Sequence, residues 1–281
     1  MNCGNCGKAV PDHEPNCPSC LRFAGYPNVR RAQGMRSDLL GHAATARQEA
    51  AQRGTTAKMQ TLEAILDHTV ATVAVSVLVA LRMATGDKYR SVYEAVERGD
   101  REVSEARYEA HRTAVDAKLY TAYHRHIVCA ALSPDGESLR NYGVVTLVLD
   151  DLAIRERASV MRENAFAFYE RFTLGARNAV EDPGWRATWD DRKELGVAHL
   201  GPDITPADSN AALAQRILFN GPDRAADRFM EVNIYGGIGI QAVGRVTLTG
   251  TVASDDDRDW WECAASSLRR RGIPVSGSAL P

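Results

Sequence analysis

The chain has 281 residues, 44% hydrophobic and 25% charged, an ordinary globular composition that excludes an acidic disordered chain. Lys+Arg is 34 and Asp+Glu is 36, a net charge of −2, which excludes a basic nucleic-acid binder of the whole-domain kind. At this length one main domain plus an appendage is expected, with a core large enough to need no staples.

Four of the six cysteines lie at the start of the chain: Cys3, Cys6, Cys17 and Cys20. Two residues between each pair let both thiolates reach one ion from a single turn. Four thiolates then complete the tetrahedron of a closed structural zinc site. Residues 1–26 are therefore expected to form a zinc ribbon, with His13 outside the ligand set. Met1 is followed directly by Asn2, Cys3 and Gly4 rather than a basic and then an apolar leader. A cytoplasmic, reducing location is expected, in which clustered cysteines bind metal.

Residues 27–60 are rich in Ala, Arg and Gln and poor in large apolar side chains, with Gly34, Gly41 and Gly54 among them. That composition predicts an exposed helical arm, placed with the ribbon to recruit a partner. Residues 61–281 are expected to be an α+β domain, with a helical part 61–127 and a strand-containing part 128–281. An apolar helix is expected over Thr61–Met83. Its Val70–Leu81 run is too short to cross a bilayer, so no membrane partner is expected. Charged helices follow to about Ile127.

Val144–Leu149 is a β-branched run after Asn141, Tyr142 and Gly143 and predicts a buried strand. A helix is expected near Glu163–Phe172, and Asp208 or Ser209 caps another that runs to Leu218. Phe229–Tyr235 alternates, with Phe229, Glu231, Asn233 and Tyr235 on one side and Met230, Val232 and Ile234 on the other. Gly236 and Gly237 turn the chain, and Arg245–Val252 returns as a strand. Asp255, Asp256 and Asp257 read as a solvated loop before a last helix, Trp260–Arg271.

Several motifs carry no chemistry. Gly237, Gly239 and Ala242 match a dinucleotide fingerprint, but a strand follows where a helix is required. His124 and His126 diverge on a helix and have no third ligand nearby in sequence. Cys129, among Ile127, Val128, Ala130 and Ala131, reads as a small buried hydrophobe, and Cys263 likewise.

Two segments remain: Tyr142–Leu149 continuing through Arg157-Ala158-Ser159-Val160 to Asn164, and Phe229–Gly237 ending in Arg245–Leu248. The second resembles the C-terminal motif of ADP-ribosyltransferases, including toxin-type members, in which a glutamate precedes a short apolar strand and a turn. Met1–Cys20 resembles the small zinc ribbons that precede many bacterial domains. The resemblance implies an α+β transferase-like domain fused to a zinc ribbon, acting in toxicity or defence, with NAD as substrate and an unknown protein or nucleic-acid acceptor. It implies Glu231 as the catalytic carboxylate. Arg157 or Arg125 would hold the pyrophosphate, Tyr142 or Tyr235 would pack on nicotinamide, and Ser159 would lie nearby. Phe229 stands where arginine-modifying members carry Glu or Gln.

The chemistry is consistent with those residue types. Breaking the nicotinamide–ribose bond develops an oxocarbenium-like centre, which a fixed carboxylate stabilises. An arginine suits a pyrophosphate through bidentate pairing. Glu231→Gln is expected to remove the charge and leave folding nearly unchanged. Two other functions fit the same sequence: a non-catalytic zinc-ribbon adaptor, and an NAD glycohydrolase that uses water as acceptor.

Overall fold

The computed structural model describes residues 1–100, 106–173, 183–252 and 254–277. After the cysteine module, α1 (Pro27–Gly34), α2 (Arg36–Gln52) and α3 (Thr56–Asp67) lead into β1 (Val70–Val75). Next come α4 (Val77–Ala84), β2 (Lys88–Tyr89), α5 (Val92–Glu97), α6 (Ala106–Tyr120), β3 (Ile127–Ser133) and β4 (Val145–Leu149). The chain continues through α7 (Asp151–Ile154), β5 (Ala158–Met161), α8 (Ala165–Thr173), β6 (Arg186–Thr188), α9 (Arg192–Leu200) and α10 (Asn210–Ile217). It ends with β7 (Leu218–Phe219), β8 (Arg228–Phe229), β9 (Glu231–Tyr235), β10 (Ile238–Gly239), β11 (Val243–Leu248), α11 (Asp255–Arg270) and β12 (Val275–Ser276).

The architecture is α+β. Eight strands form one sheet in the order β12-β11-β4-β1-β3-β9-β5-β6. Every neighbouring pair is antiparallel except β11 and β12. In the central strands both faces are buried, and β1, β3 and β4 carry no charged residue. One face presents Val73, Val75, Val128, Leu132, Val160, Val232 and Ile234 to a large cluster that includes Leu39, Leu62, Leu66 and Leu195 from α2, α3 and α9. The opposite face presents Ile127 and Met161 to a second cluster with Val115, Leu119 and Tyr120 of α6 and Ala165 and Phe168 of α8. Gly143 lets β4 enter close beside β1: a Cβ there would sit 2.4 Å from the Val75 carbonyl carbon.

Three expectations are corrected. Residues 27–60 are not an exposed arm. Leu39, Ala43, Ala46 and Ala50 form a 4-3-4 stripe on α2 that is fully buried against the core. The scarcity of large side chains marks a close helix contact, because alanines let α2 approach α9. Arg47 locks the three helices, pairing with Glu194 at 2.7 and 3.0 Å and with Glu63 at 2.6 Å. A boundary at residue 61 therefore falls inside α3.

Thr61–Met83 is not one helix. The β-branched density of Val70-Ala71-Thr72-Val73-Ala74-Val75 makes it the strand β1, at the middle of the sheet. Ser76, accepting from the Val79 N–H, then caps α4. A short apolar run does not by itself separate a buried helix from a buried strand.

Asp255, Asp256 and Asp257 are the first turn of α11 rather than a loop. Ser254 caps that turn, and Arg269 and Arg270 close the last one, both as the helix dipole favours. Ser209, not Asp208, caps α10. Among the described residues no helix is long and apolar enough to cross a membrane.

Candidate functional site

The four N-terminal cysteines converge. Their sulfurs lie within 4.8 Å of one another. The Cys3–Cys20 and Cys6–Cys17 pairs are 3.7 and 3.6 Å apart, far beyond a disulfide bond. Two similar turns build the site. The Gly7 N–H bonds to the Cys3 carbonyl and the Leu21 N–H to the Cys17 carbonyl. Both turns need positive φ at that position, 69° at Gly7 and 57° at Leu21; only glycine adopts it without strain. A tetrahedron of sulfurs about 2.3 Å from a metal has edges of about 3.8 Å. The cluster therefore fits a metal ion with four thiolate ligands.

The second candidate site lies between the sheet and α6. Arg112, Asp116 and Tyr120 recur every four residues on α6, so they form one polar stripe along a single helix face. The stripe faces Cys129 of β3 and Glu231 of β9. A cavity of about 770 Å³ is lined by Arg112, Asp116, Cys129, Tyr142, Phe166, Arg228 and Glu231, among others. A narrower chamber of about 120 Å³ shares Arg112, Asp116, Cys129, Tyr142 and Phe229 and reaches Tyr93 and Tyr120.

Glu231 is the first residue of β9, and only 5% of it is exposed. Its carboxylate is held from both sides. Tyr120 Oη donates to Oε1 at 2.9 Å, Asn233 Nδ2 donates to Oε1 at 2.7 Å, and the Ala165 N–H donates to Oε2 at 3.0 Å. These donors fix the group before any ligand arrives. Burial together with Glu231 and Asp116 pushes the Cys129 thiol well above its ordinary range. It therefore stays protonated and is a poor nucleophile. Cys129 is half-buried at the cavity wall and packs against the second hydrophobic cluster.

Asp116 is, with Glu231, one of two buried carboxyl groups among the described residues of the cavity wall. Burial pushes it up to about 6, opposed by Arg112 and by the 2.7 Å bond from Tyr93 Oη, and assisted by Glu231. The folded chain thus holds this proton up to about pH 6, whereas an ordinary Asp releases it near 3.8. Between these values the native state binds the extra proton, so stability falls as pH rises through the window. Asp116→Asn removes that loss. It is expected to stabilise the fold at pH 8 by roughly 2–3 kcal/mol. The gain should vanish below about pH 4; urea unfolding at both pH values measures it, and a gain independent of pH would contradict the assignment.

Of the residues singled out in the sequence, Glu231 and Tyr142 line this cavity. Arg157 and Tyr235 sit at the far end of β5 and β9. Arg157 Nη1 donates to the carbonyls of Tyr235, Gly236 and Gly237 at 3.0–3.2 Å. Tyr235 packs between the rings of Tyr26 and His126. Ser159 is buried beside Asn233 and accepts from Asn28 Nδ2. Arg125 lies on the surface and pairs with Glu97. The cavity instead carries Arg112, Arg224 and Arg228, with Arg224 stacked on Tyr142 at 4.8 Å. The i, i+4, i+8 spacing of Arg112, Asp116 and Tyr120 was the available sequence signal for the α6 wall.

No protein-family model matches the chain, and no curated protein is significantly similar to it.

Proposed function

We propose that this protein is an ADP-ribosyltransferase-like enzyme that cleaves the nicotinamide–ribose bond of NAD in the cavity around Glu231. One observation carries the reading. A carboxylate fixed by three donors opens onto a cavity whose walls combine arginines with the rings of Tyr142, Phe166 and Phe229. A dinucleotide asks for that combination: cations for its pyrophosphate, rings for its bases and a fixed anion at the reacting carbon.

In the reaction the C1′–N bond breaks and its electron pair leaves on the nicotinamide nitrogen. Glu231 faces the positive charge left on the ribose. Arg112, Arg224 and Arg228 hold the pyrophosphate. The acceptor, a macromolecule or water, bonds to C1′ and gives its proton to Asp116, whose carboxyl is pushed up to about 6 by burial. Purified protein incubated with NAD should release nicotinamide. No release, together with no heat of NAD binding, would leave the domain as a scaffold for the cysteine module.

The metal is zinc, held by Cys3, Cys6, Cys17 and Cys20. It supplies a structural crosslink in a reducing, cytoplasmic setting and takes no part in the chemistry. Metal analysis should find one zinc per chain, lost in the Cys17→Ser/Cys20→Ser variant. Chelation should unfold residues 1–25 and leave the main unfolding transition in place, because the folding energy of such a module is largely that of its metal. Absence of zinc from freshly purified protein would refute this assignment.

A further inference from the structure

Arg186 is the one cationic side chain among the described residues that is fully buried, with none of its surface exposed. None of its three guanidinium nitrogens has a hydrogen-bond partner among the described residues. Burying a cation in this way is costly unless something nearby balances it. What surrounds it is aromatic. Its Cζ lies 4.6 Å from the centre of the Trp185 ring and 5.1 Å from that of Tyr120. Rings that close to a cation stabilise it.

The sheet register explains its place. Glu231 of β9 pairs with Met161 of β5, and Met161 pairs with Arg186 of β6. Directly paired residues point to the same face. Glu231, Met161 and Arg186 therefore form one row across three strands, and Tyr120 lies over all three. The Tyr120 hydroxyl reaches Glu231 at 2.9 Å and the Met161 sulfur at 3.3 Å, while its ring covers the guanidinium. A buried anion and a buried cation thus share one tyrosine. Other charges face the same network. Arg112 and Asp116 lie on α6, and Asp116 is opposed by Arg112 and His124.

We propose that Arg186 is a positioning residue of the Glu231 site: its guanidinium acts through the Tyr120 ring to hold the Tyr120–Glu231 hydrogen bond and to balance the buried carboxylate. The inference rests on the reading of Glu231 as the reacting group for its catalytic consequence, but not for its test. A cation under the ring polarises the phenol and strengthens its O–H as a donor. Without it, Tyr120 would remain packed but would hold Glu231 less firmly.

The test is a double-mutant cycle in the full chain, with Arg186→Met, which keeps an unbranched stem and removes the charge, and Glu231→Gln. Unfolding in urea is the readout. If Arg186 balances Glu231, Arg186→Met destabilises the native protein at least tenfold more, in its unfolding equilibrium constant, than it destabilises the Glu231→Gln protein. Arg186→Lys should retain part of the coupling. Additive effects, the result of a merely packed arginine, would overturn the proposal. If Arg186→Met alone does not fold, recovery of folding in the double variant supports the proposal, and failure of the double variant overturns it. Nicotinamide release adds a separate arm. In an active enzyme Arg186→Met should lower kcat tenfold or more with KM unchanged. Coupling without NAD cleavage in any variant would reject the proposed function and leave the role of Arg186 standing.

Discussion

Glu231→Gln is expected to slow nicotinamide release from NAD by about 100- to 1,000-fold, the usual loss when a fixed group that stabilises transition-state charge is neutralised. The loss should appear in kcat. The carboxylate acts on charge that develops only as the C1′–N bond breaks, while the arginines and rings that hold the dinucleotide are untouched. The structure also revises the expectation that this change leaves folding nearly unchanged. Glutamine can accept from Tyr120 and Asn233 at its oxygen, but its NH2 then meets the Ala165 N–H, donor against donor. A buried donor left unmet costs about 1–3 kcal/mol. Steady-state kinetics and urea unfolding of the same preparation separate the two effects. Undiminished turnover would remove Glu231 from the reaction.

A chain lacking residues 1–60 is expected not to fold, whereas one lacking residues 1–25 should keep its sheet. The first truncation removes α1, α2 and the start of α3, and with them Leu39, Ala43, Ala46, Ala50 and Met59 from the principal core. It also removes Asn28, whose side chain donates to the carbonyls of Arg157 and Asn233 and so ties α1 to β5 and β9. The single change Leu39→Ala should already cost about 2–5 kcal/mol, out of a total that is typically about 5–15 kcal/mol. Circular dichroism during heating distinguishes the cases. A cooperative transition in the shorter fragment would show that the helices are dispensable.

The elements read correctly from the sequence were the local ones. Cys3, Cys6, Cys17 and Cys20 are legible because two short turns set their geometry, and the strand at Val232–Tyr235 because its pattern has period two. The α2 stripe was illegible by size. Alanine is the residue both of exposed helices and of tightly packed ones, and only the partner helix α9 decides which. Val70–Val75 was misread because a buried segment loses its periodicity. The cavity was half legible. Glu231 opens β9 and Tyr142 lies in the turn just before β4, near the motifs that drew attention to them, while Arg112, Asp116 and Tyr120 come from a distant helix. Arg157 shows the limit of composition: its guanidinium is bound by three carbonyls of the Tyr235–Gly237 turn. Nothing in its neighbouring residues announces that.

The two-sided burial of β9 also limits how the site can drift over generations. Val232 and Ile234 belong to one core, and Glu231 and Asn233 face the other layer. Loss or gain of one residue inside β9 would exchange the two sets, driving a carboxylate into the leucines of α2 and α3 and turning a valine toward the cavity. Descendants of this chain can therefore move the acid along the strand only in steps of two. Asn233, already bonded to Glu231, is the next position inward on the same face.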